Sequence, residues 1–491
     1  MINLITYFYR YTKLVYKVYN YIHFYNKNNS HNILLLEDVI ENIKACGSVA
    51  IKFCQWMTPK LEIMHLDEND ILDDHKPLWL KKLEDFYENC NYHNLDHTLK
   101  LYERDFNESL TDNYEILDTI GSGSIGQVYL VQEKTLTKYQ HPNKYVMKIL
   151  HPSVHRDIYY FRIYYNLCRR VPFIQKLLDT QFPFDINSFL DSFDEQSNFI
   201  NESNNLLRFQ ENYKDNDYLI IPRLIRCSTN IMIMSYEEGV SYEDLKCDNY
   251  HKYKVAVLLT SFIRNNQQIC NFYHGDLHKG NWKVKSCDNN EYKLIIYDFG
   301  FCWKVPLTKR EGINESVEIF EDVDQSEDND DGGLDYEKMT TTLLYLLKYD
   351  ERDKIKHKDI IYHYLKENTH LIQPWAFNPS RIFKTTVNLC IETGLKIDPL
   401  LIQSIIIVIQ CQKIFQEFRF ISDDKQDAVK SQEVYRVKYM DWLSFYKTYD
   451  IFPEFSKYIQ DRLNDLQSEI KEVFECNDIP DSFKSLALKH K

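Results

Sequence analysis

Three short stretches in the first third of the chain, 114–120, 127–132 and 145–150, are rich in β-branched and aromatic residues and are bounded by turn formers. That pattern predicts strands. The chain before them, 36–110, reads as helices, and 184–213 reads as one long helical stretch. Residues 219–221 and 230–235 return to strand character, and everything beyond is predicted mainly helical apart from 292–298. The order of helices, a cluster of short strands, then helices predicts an α+β protein.

Two stretches stand out by charge. The N-terminal segment carries Arg10, Lys13, Lys17 and Lys27, with Tyr, Phe, Leu, Ile and Val between them and no acid before Glu37. It fits a helix that packs an aromatic face on the main domain. It also fits a membrane-surface helix or an organelle-targeting segment. Its poverty in Ser and wealth of Tyr favour the first. The second stretch, 315–333, gathers Glu318, Glu321, Asp322, Asp324, Glu327, Asp328, Asp330 and Asp331 ahead of Gly332-Gly333. It is expected to be a solvated loop, since it lacks the central Gly and final Glu of a calcium loop.

Composition excludes some classes. A formal net charge of −14 argues against non-specific nucleic-acid binding by the whole chain. The 12 cysteines include no C-x-x-C pair and no zinc spacing, so they read as thiols of a reducing, intracellular compartment. No stretch of about 18 apolar residues is free of charge, so no transmembrane helix is expected.

Four motifs carry chemistry. Gly121-Ser122-Gly123-Ser124-Ile125-Gly126-Gln127-Val128 fits G-x-G-x-x-G-x-V between two predicted strands. Glycines there let backbone N–H groups approach phosphates. A dinucleotide-binding loop would continue as a helix after Gly126, whereas residues 127–131 read as a strand. Lys148, inside the apolar strand 145–150, needs a partner for its ammonium; it contacts the α- and β-phosphates if this is a kinase. His274 to Asn281 fits H-x-D-x-x-x-x-N, with Asp276 as base or orienter and Asn281 as a Mg²⁺ ligand. Asp298-Phe299-Gly300 closes a predicted strand, with Asp298 as a second Mg²⁺ ligand. Each motif alone is weak. All four in kinase order predict binding of ATP and Mg²⁺ on a two-lobed protein-kinase-like fold, with a small β-rich N-lobe and a helical C-lobe.

Two further stretches resemble the UbiB/ADCK (aarF-domain) atypical kinases. Lys52-Phe53-Cys54-Gln55, followed by Thr58, Lys60 and Glu62, is similar to that family's K-x-G-Q and S-x-R-x-D motifs. Glu202-Ser203-Asn204-Asn205 with Arg208-Phe209 is similar to its E-A-x-N-x-x-R-F helix. The resemblance runs from about residue 36 to about residue 420, where Gly394 to Pro399 before an apolar helix also fits. It implies that Glu202 pairs with Lys148, that the helix bearing Lys52 and Gln55 folds over the active site, and that the chain acts in isoprenoid-quinone or lipid metabolism, often at a membrane. The sequence departs from the family in three ways. Cys54 replaces a Gly, Gln196 and Asn198 stand where the family has an acidic pair, and the nucleotide loop has glycines where the family is Ala-rich.

The expected division is a basic aromatic segment 1–35, a helical extension 36–112, an N-lobe 113–238, a C-lobe 239–430 containing the acidic loop, and a helical tail 431–491. The expected activity is an ATP- and Mg²⁺-dependent kinase or ATPase with an unidentified phosphoryl acceptor: small molecule, lipid or protein. A small-molecule kinase of the aminoglycoside or choline type is the alternative, because it shares the pattern of His274 to Asn281. Such enzymes lack the Lys52/Gln55 element. A pseudokinase scaffold is the third reading, opposed by the retention of Lys148, Glu202, Asp276, Asn281 and Asp298.

Overall fold

The computed structural model describes residues 2–28, 31–65, 77–84, 86, 90, 92–134, 143–181, 183–214, 216–247, 249–266, 270–287, 291–305, 336–368 and 379–419. The acidic stretch 315–333 and the tail 431–491 lie outside them. The chain divides into two compact units. The first holds residues 1–211, 221–238 and 297–301, and the second holds 212–220, 239–296 and 302–491.

The first unit is built on a five-stranded sheet. Strands β1 (Tyr114–Ser122), β2 (Gly126–Glu133) and β3 (Lys144–Leu150) form an antiparallel meander. β4 (Leu219–Ile220) belongs to the second unit. β5 (Leu224–Cys227) and β6 (Ile231–Ser235) complete the order β1-β2-β3-β6-β5. Alternation along the strands sets the faces: Tyr129, Val131, Tyr145, Met147, Ile149, Ile231 and Ile233 are buried in one cluster with Leu101 and Tyr102. The loop 121–126 is therefore the tight link of a hairpin, which settles the dinucleotide-loop question against that reading. Gly126 itself lies in the strand.

Helices surround this sheet. α1 (Ile2–Asn28), α2 (Ile33–Cys46), α3 (Ser48–Met64) and α4 (Leu78–Glu84) precede it. Tyr7, Tyr11 and Tyr21 of α1 are buried against Leu36, Val39 and Ile43 of α2, so the aromatic face does pack on the protein. In α3 the ammonium of Lys60 is buried, donates to the Trp56 carbonyl at 2.8 Å and sits 4.0 Å above the Trp56 ring. α5 (Leu95–Phe106) and α6 (Leu110–Asn113) lead into β1; α7 (Val154–Arg169) and α8 (Pro172–Gln181) follow β3.

The single helix expected over 184–213 is in fact two, α9 (Ile186–Gln196) and α10 (Phe199–Asn212). Ser197 ends the first, and the Asn198 side chain accepts from the Ile200 N–H to open the second. The apolar periodicity runs on across the break, but Ser-Asn is a stop-and-cap pair, and capping wins.

In the second unit, α11 (Asn249–Arg264) precedes β7 (Tyr273–His274), β8 (Trp282–Ser286) and β9 (Tyr292–Ile296). β9 pairs with β8 antiparallel and with β4 parallel. β8 was not expected from the sequence, although its Trp282-Lys283-Val284-Lys285 alternation is that of a short half-buried strand. β10 (Cys302–Trp303) pairs with β7. The remaining helices, including Pro379–Thr393 and Pro399–Arg419, form the helical part of this unit. Among the described residues no helix is long and apolar enough to cross a membrane.

Candidate active site

Lys148 lies in the centre of β3, the middle strand of the sheet, on the face opposite Met147 and Ile149. Its Nζ donates to both carboxylate oxygens of Glu202 at 2.8 and 2.9 Å and lies 3.4 Å from Asp298 Oδ1. Glu202 is 1% exposed. Burial pushes its carboxyl up, to about 7, against the opposing pull of the Lys148 ammonium; the Asp298 carboxylate adds to the rise. For Lys148, burial works downward, but the Asp298 and Glu202 carboxylates outweigh it and the ammonium is held above its ordinary value. Lys148 stays charged.

Helix α10 positions this constellation by its 3.6-residue repeat. Glu202, Asn205 and Phe209 share one face. The Asn205 amide donates to the Phe299 carbonyl at 2.9 Å, and the Phe209 ring packs 5.0 Å from the buried Phe299 ring. Asp298 has φ +53°, a left-handed backbone that costs a non-glycine residue free energy and needs support from its surroundings. Its Oδ1 accepts from the Gly300 N–H at 3.2 Å. A Cβ on Gly300 would stand 3.1 Å from that Oδ1 and 3.5 Å from Glu202 Oε2. Gln196, one of the two amides in place of acids, is buried with its Cγ also near this position and donates to Ser192. Asn198 is occupied as a helix cap.

The glycines of the loop differ from one another. A Cβ on Gly126 would lie 2.6 Å from the Ile149 carbonyl oxygen, so the close strand approach excludes any larger residue. A Cβ on Gly121 meets nothing within 4 Å, and one on Gly123 only an oxygen at 3.9 Å. The fold does not demand glycine at those two. In the same loop the Ser124 hydroxyl donates to Gln55 Oε1 at 2.9 Å, and Gln55 Nε2 donates to the Phe86 carbonyl at 2.6 Å. Helix α3 thus touches the loop directly through Gln55. Lys52, one turn earlier, is near enough to pull the Glu202 carboxyl downward. Sequence reasoning did not anticipate the Gln55–Ser124 contact, because nothing in spacing links residues 69 positions apart. Val128 lies in β2, paired with Lys148 across the sheet.

The second unit carries the H-x-D segment. His274 ends β7 and is buried; its Nδ1 accepts from the Asp276 N–H at 3.4 Å. Asn281, in a short 3₁₀ turn, donates to the Asp276 carbonyl at 2.7 Å, which closes the loop on itself. Gln403, on the helix Pro399–Arg419, donates to the Gly275 carbonyl at 2.9 Å. Lys279 pairs with Glu243. Gln403 was not singled out from sequence, since a lone Gln in an apolar helix carries no motif.

A lysine in a central strand, bound to a helix glutamate behind a glycine hairpin, with an Asp-Phe-Gly carboxylate at the same ammonium, defines a protein-kinase-like fold. The profile of the ABC1 atypical kinase-like domain matches residues 85–327. That stretch is an ABC1 atypical kinase-like domain, and homologues of the chain are named UbiB and ABC1-complex kinases. It is 29% identical over 264 residues to "Probable serine/threonine-protein kinase abkC" of Dictyostelium discoideum, covering 52% of this chain and 36% of that one. It is 22% identical to "Protein ACTIVITY OF BC1 COMPLEX KINASE 8, chloroplastic" of Arabidopsis thaliana, covering 56% and 35%. It is 23% identical to "Probable protein kinase UbiB" of Photobacterium profundum, covering 60% and 53%. The chain thus spans between a third and about half of the length of these relatives. Among solved structures, an Rv3197–erythromycin complex of Mycobacterium tuberculosis aligns at 14% identity and TM-score 0.41, over 72% of this chain and 87% of that one.

Proposed function

We propose that the chain binds Mg²⁺–ATP and passes its γ-phosphate to an acceptor or to water. The observation that carries this reading is Lys148: a charged ammonium in a central strand, held by both oxygens of Glu202 with the Asp298 carboxylate 3.4 Å away. Such an ammonium suits the α- and β-phosphates. The glycine loop, residues 121–126, offers backbone N–H groups to the same anion, with Ser122 as a side-chain donor and Val128 beside the base; the Ser124 hydroxyl is given to Gln55 and would contribute through its backbone N–H. Asp298 is the proposed metal ligand of the first unit, and its side chain is 41% exposed, so an oxygen remains accessible. Asn281 is the proposed metal ligand of the second unit, and Asp276 the proposed base or orienter of the acceptor. Among the described residues no group of three or more His, Cys, Asp or Glu could hold a metal alone. A Mg²⁺ would therefore draw most of its oxygens from nucleotide and water, as Mg²⁺ commonly does. When bound, it would neutralise charge on the transferring phosphoryl group.

The resemblance of Lys52 and Gln55 to the K-x-G-Q element supports the atypical branch, acting on a quinone precursor, another lipid-related small molecule or a protein, over an ordinary peptide kinase. The names of the relatives are consistent with an organellar or bacterial-type setting. Contact with a membrane surface is part of the proposal. Purified protein should bind ATP only with Mg²⁺ and turn it over. Lys148→Met should weaken nucleotide binding by at least tenfold, and Asp298→Ala should abolish the Mg²⁺ dependence. Wild-type affinity and turnover in Lys148→Met would sink the reading.

A further inference from the structure

A row of buried polar groups runs through the first unit to the glycine loop. The His93 backbone N–H donates to Gln127 Oε1 at 2.8 Å, and Gln127 Nε2 donates to the Tyr129 hydroxyl at 2.7 Å. Tyr129 meets Thr98 Oγ1 at 2.9 Å, Thr98 meets His93 Nε2 at 2.9 Å, and His93 Nδ1 meets His151 Nδ1 at 2.7 Å. His151 Nε2 then meets the Gly123 carbonyl at 3.0 Å. Thr98, Gln127 and Tyr129 are buried.

The proton positions follow from the two ends. At one end, a backbone N–H can only donate, so the Gln127 oxygen faces His93 and its NH₂ faces Tyr129. That arrangement is compatible with Tyr129 donating to Thr98, Thr98 to His93 Nε2, and His93 through Nδ1 to His151; because a hydroxyl can accept twice, this end does not by itself fix the direction. At the other end, a carbonyl oxygen can only accept, so His151 carries its proton on Nε2. In a neutral ring that leaves Nδ1 as acceptor, and the same direction propagates back to Gln127. The carbonyl end fixes the direction, and the backbone N–H end agrees with it. Burial, followed by the facing His151 and His97, holds His93 well below the ordinary imidazole range, at about 3, and burial lowers His151 as well. The rings stay neutral in ordinary buffers, which the directed chain requires.

The chain ends on the loop that would meet phosphate. His151 meets it three times: by ring Nε2 at the Gly123 carbonyl and, more distantly at 3.3 Å, at the Ser122 hydroxyl, and by its backbone N–H at the Ile125 carbonyl, 2.9 Å away. The Cys90 N–H takes the Ser122 carbonyl at 3.1 Å. Carbonyl oxygens turned toward a polyphosphate would repel it; here those of residues 122, 123 and 125 are held by donors of the protein. We propose that His151, aligned by His93, is a positioning residue of the glycine loop: it latches the loop carbonyls so that N–H groups meet the phosphates. The purpose of the latch rests on the nucleotide reading above; its existence does not.

The test has three arms on the full chain. With ¹⁵N-labelled histidine, wild-type protein at pH 7 should show His151 protonated on Nε2 and His93 on Nδ1. His151 found protonated on Nδ1, or cationic, would overturn the proposal, and this arm needs no variant to fold. Without nucleotide, His151→Leu should speed hydrogen exchange at residues 121–126 by about tenfold, while His151→Gln, which keeps an N–H near the place of Nε2, should stay within about threefold of wild type. With Mg²⁺–ATP, His151→Leu should raise Kd by about tenfold, the worth of one such bond, and His151→Gln should restore it. Unchanged loop exchange in a folded His151→Leu refutes the latch. Wild-type protein that binds no Mg²⁺–ATP, while the first two arms come out as stated, refutes the nucleotide reading and leaves the latch standing.

Discussion

Replacing Glu202 with Gln tests whether the buried pair is a carboxylate under tension. Burial raises the Glu202 carboxyl from 4.5 to about 7, so the folded state prefers it protonated. The sign follows: the stability this group contributes is fully present below about pH 4.5 and is lost as pH rises through about 7. At ~1.36 kcal/mol per pH unit, the loss over that window amounts to about 3 kcal/mol. Other carboxylates titrate in the same range, but they are common to both proteins and cancel in the difference. Lys148 stays protonated throughout the window, because the two carboxylates hold its ammonium above the ordinary range. Urea unfolding of wild type and Glu202→Gln at intervals from pH 4.5 to 8 gives the curve. Relative to the variant, wild type should lose about 3 kcal/mol across it. Turnover should show the opposite preference: the ionised pair is what holds Lys148, so wild type should gain activity through pH 7, and Glu202→Gln should be flat and low. Parallel stability curves for the two proteins would mean that Glu202 ionises as in water and that this account of the pair is wrong.

Two further outcomes follow from contacts already described. Gly126→Ala must push against the Ile149 carbonyl and should lower the melting temperature by several degrees, whereas Gly121→Ala and Gly123→Ala should melt like wild type and lose nucleotide affinity; equal melting of all three by calorimetry would contradict the 2.6 Å approach. In α1, Ile5, Tyr9, Tyr16 and Tyr19 form an exposed stripe, while Lys17 is paired with Asp38 and Arg10 donates to the Ala45 carbonyl. A carbonyl leaves the Arg10 charge intact, so Arg10, Lys13 and Lys27 are the principal attraction to anionic lipid, about 3 kcal/mol together. Co-sedimentation with anionic vesicles should therefore be weak, salt-sensitive and reduced by Tyr9→Ser with Tyr16→Ser, and equal binding of that variant would show that the stripe has no role at lipid.

The residues proposed to carry the chemistry stood out because each sits in a short motif whose physical reason is local: glycines for close approach, a lysine that needs a partner in an apolar strand, an acid at a strand end. The Lys148–Glu202 pairing was reachable only through family resemblance, and it is present at 2.8 Å. What stayed hidden depends on side chains meeting across the fold. Gln55 and Ser124 carry no pattern that joins them, nor do His93, Thr98, Tyr129 and His151, whose hydrogen bonds appear only when the hairpin and α5 are packed together. The break at Ser197-Asn198 was missed for a different reason, that apolar periodicity was weighed above a capping pair. β8 was missed although Trp282, Lys283, Val284 and Lys285 alternate as a half-buried strand should, because the run is only five residues long and follows directly on the H-x-D motif.

Helix α10 has three separate holds on Asp298-Phe299-Gly300: Glu202 through Lys148, Asn205 on the Phe299 carbonyl, and Phe209 under the Phe299 ring. All three lie on one stripe of the helix, so no rotation about its axis can keep one and release another. The helix and the Asp298 carboxylate therefore behave as a single mechanical part. A rotation of α10 about its own axis would loosen all three holds at once, and a shift that keeps them would carry Asp298 along, so the placement of the carboxylate is tied to the placement of the helix.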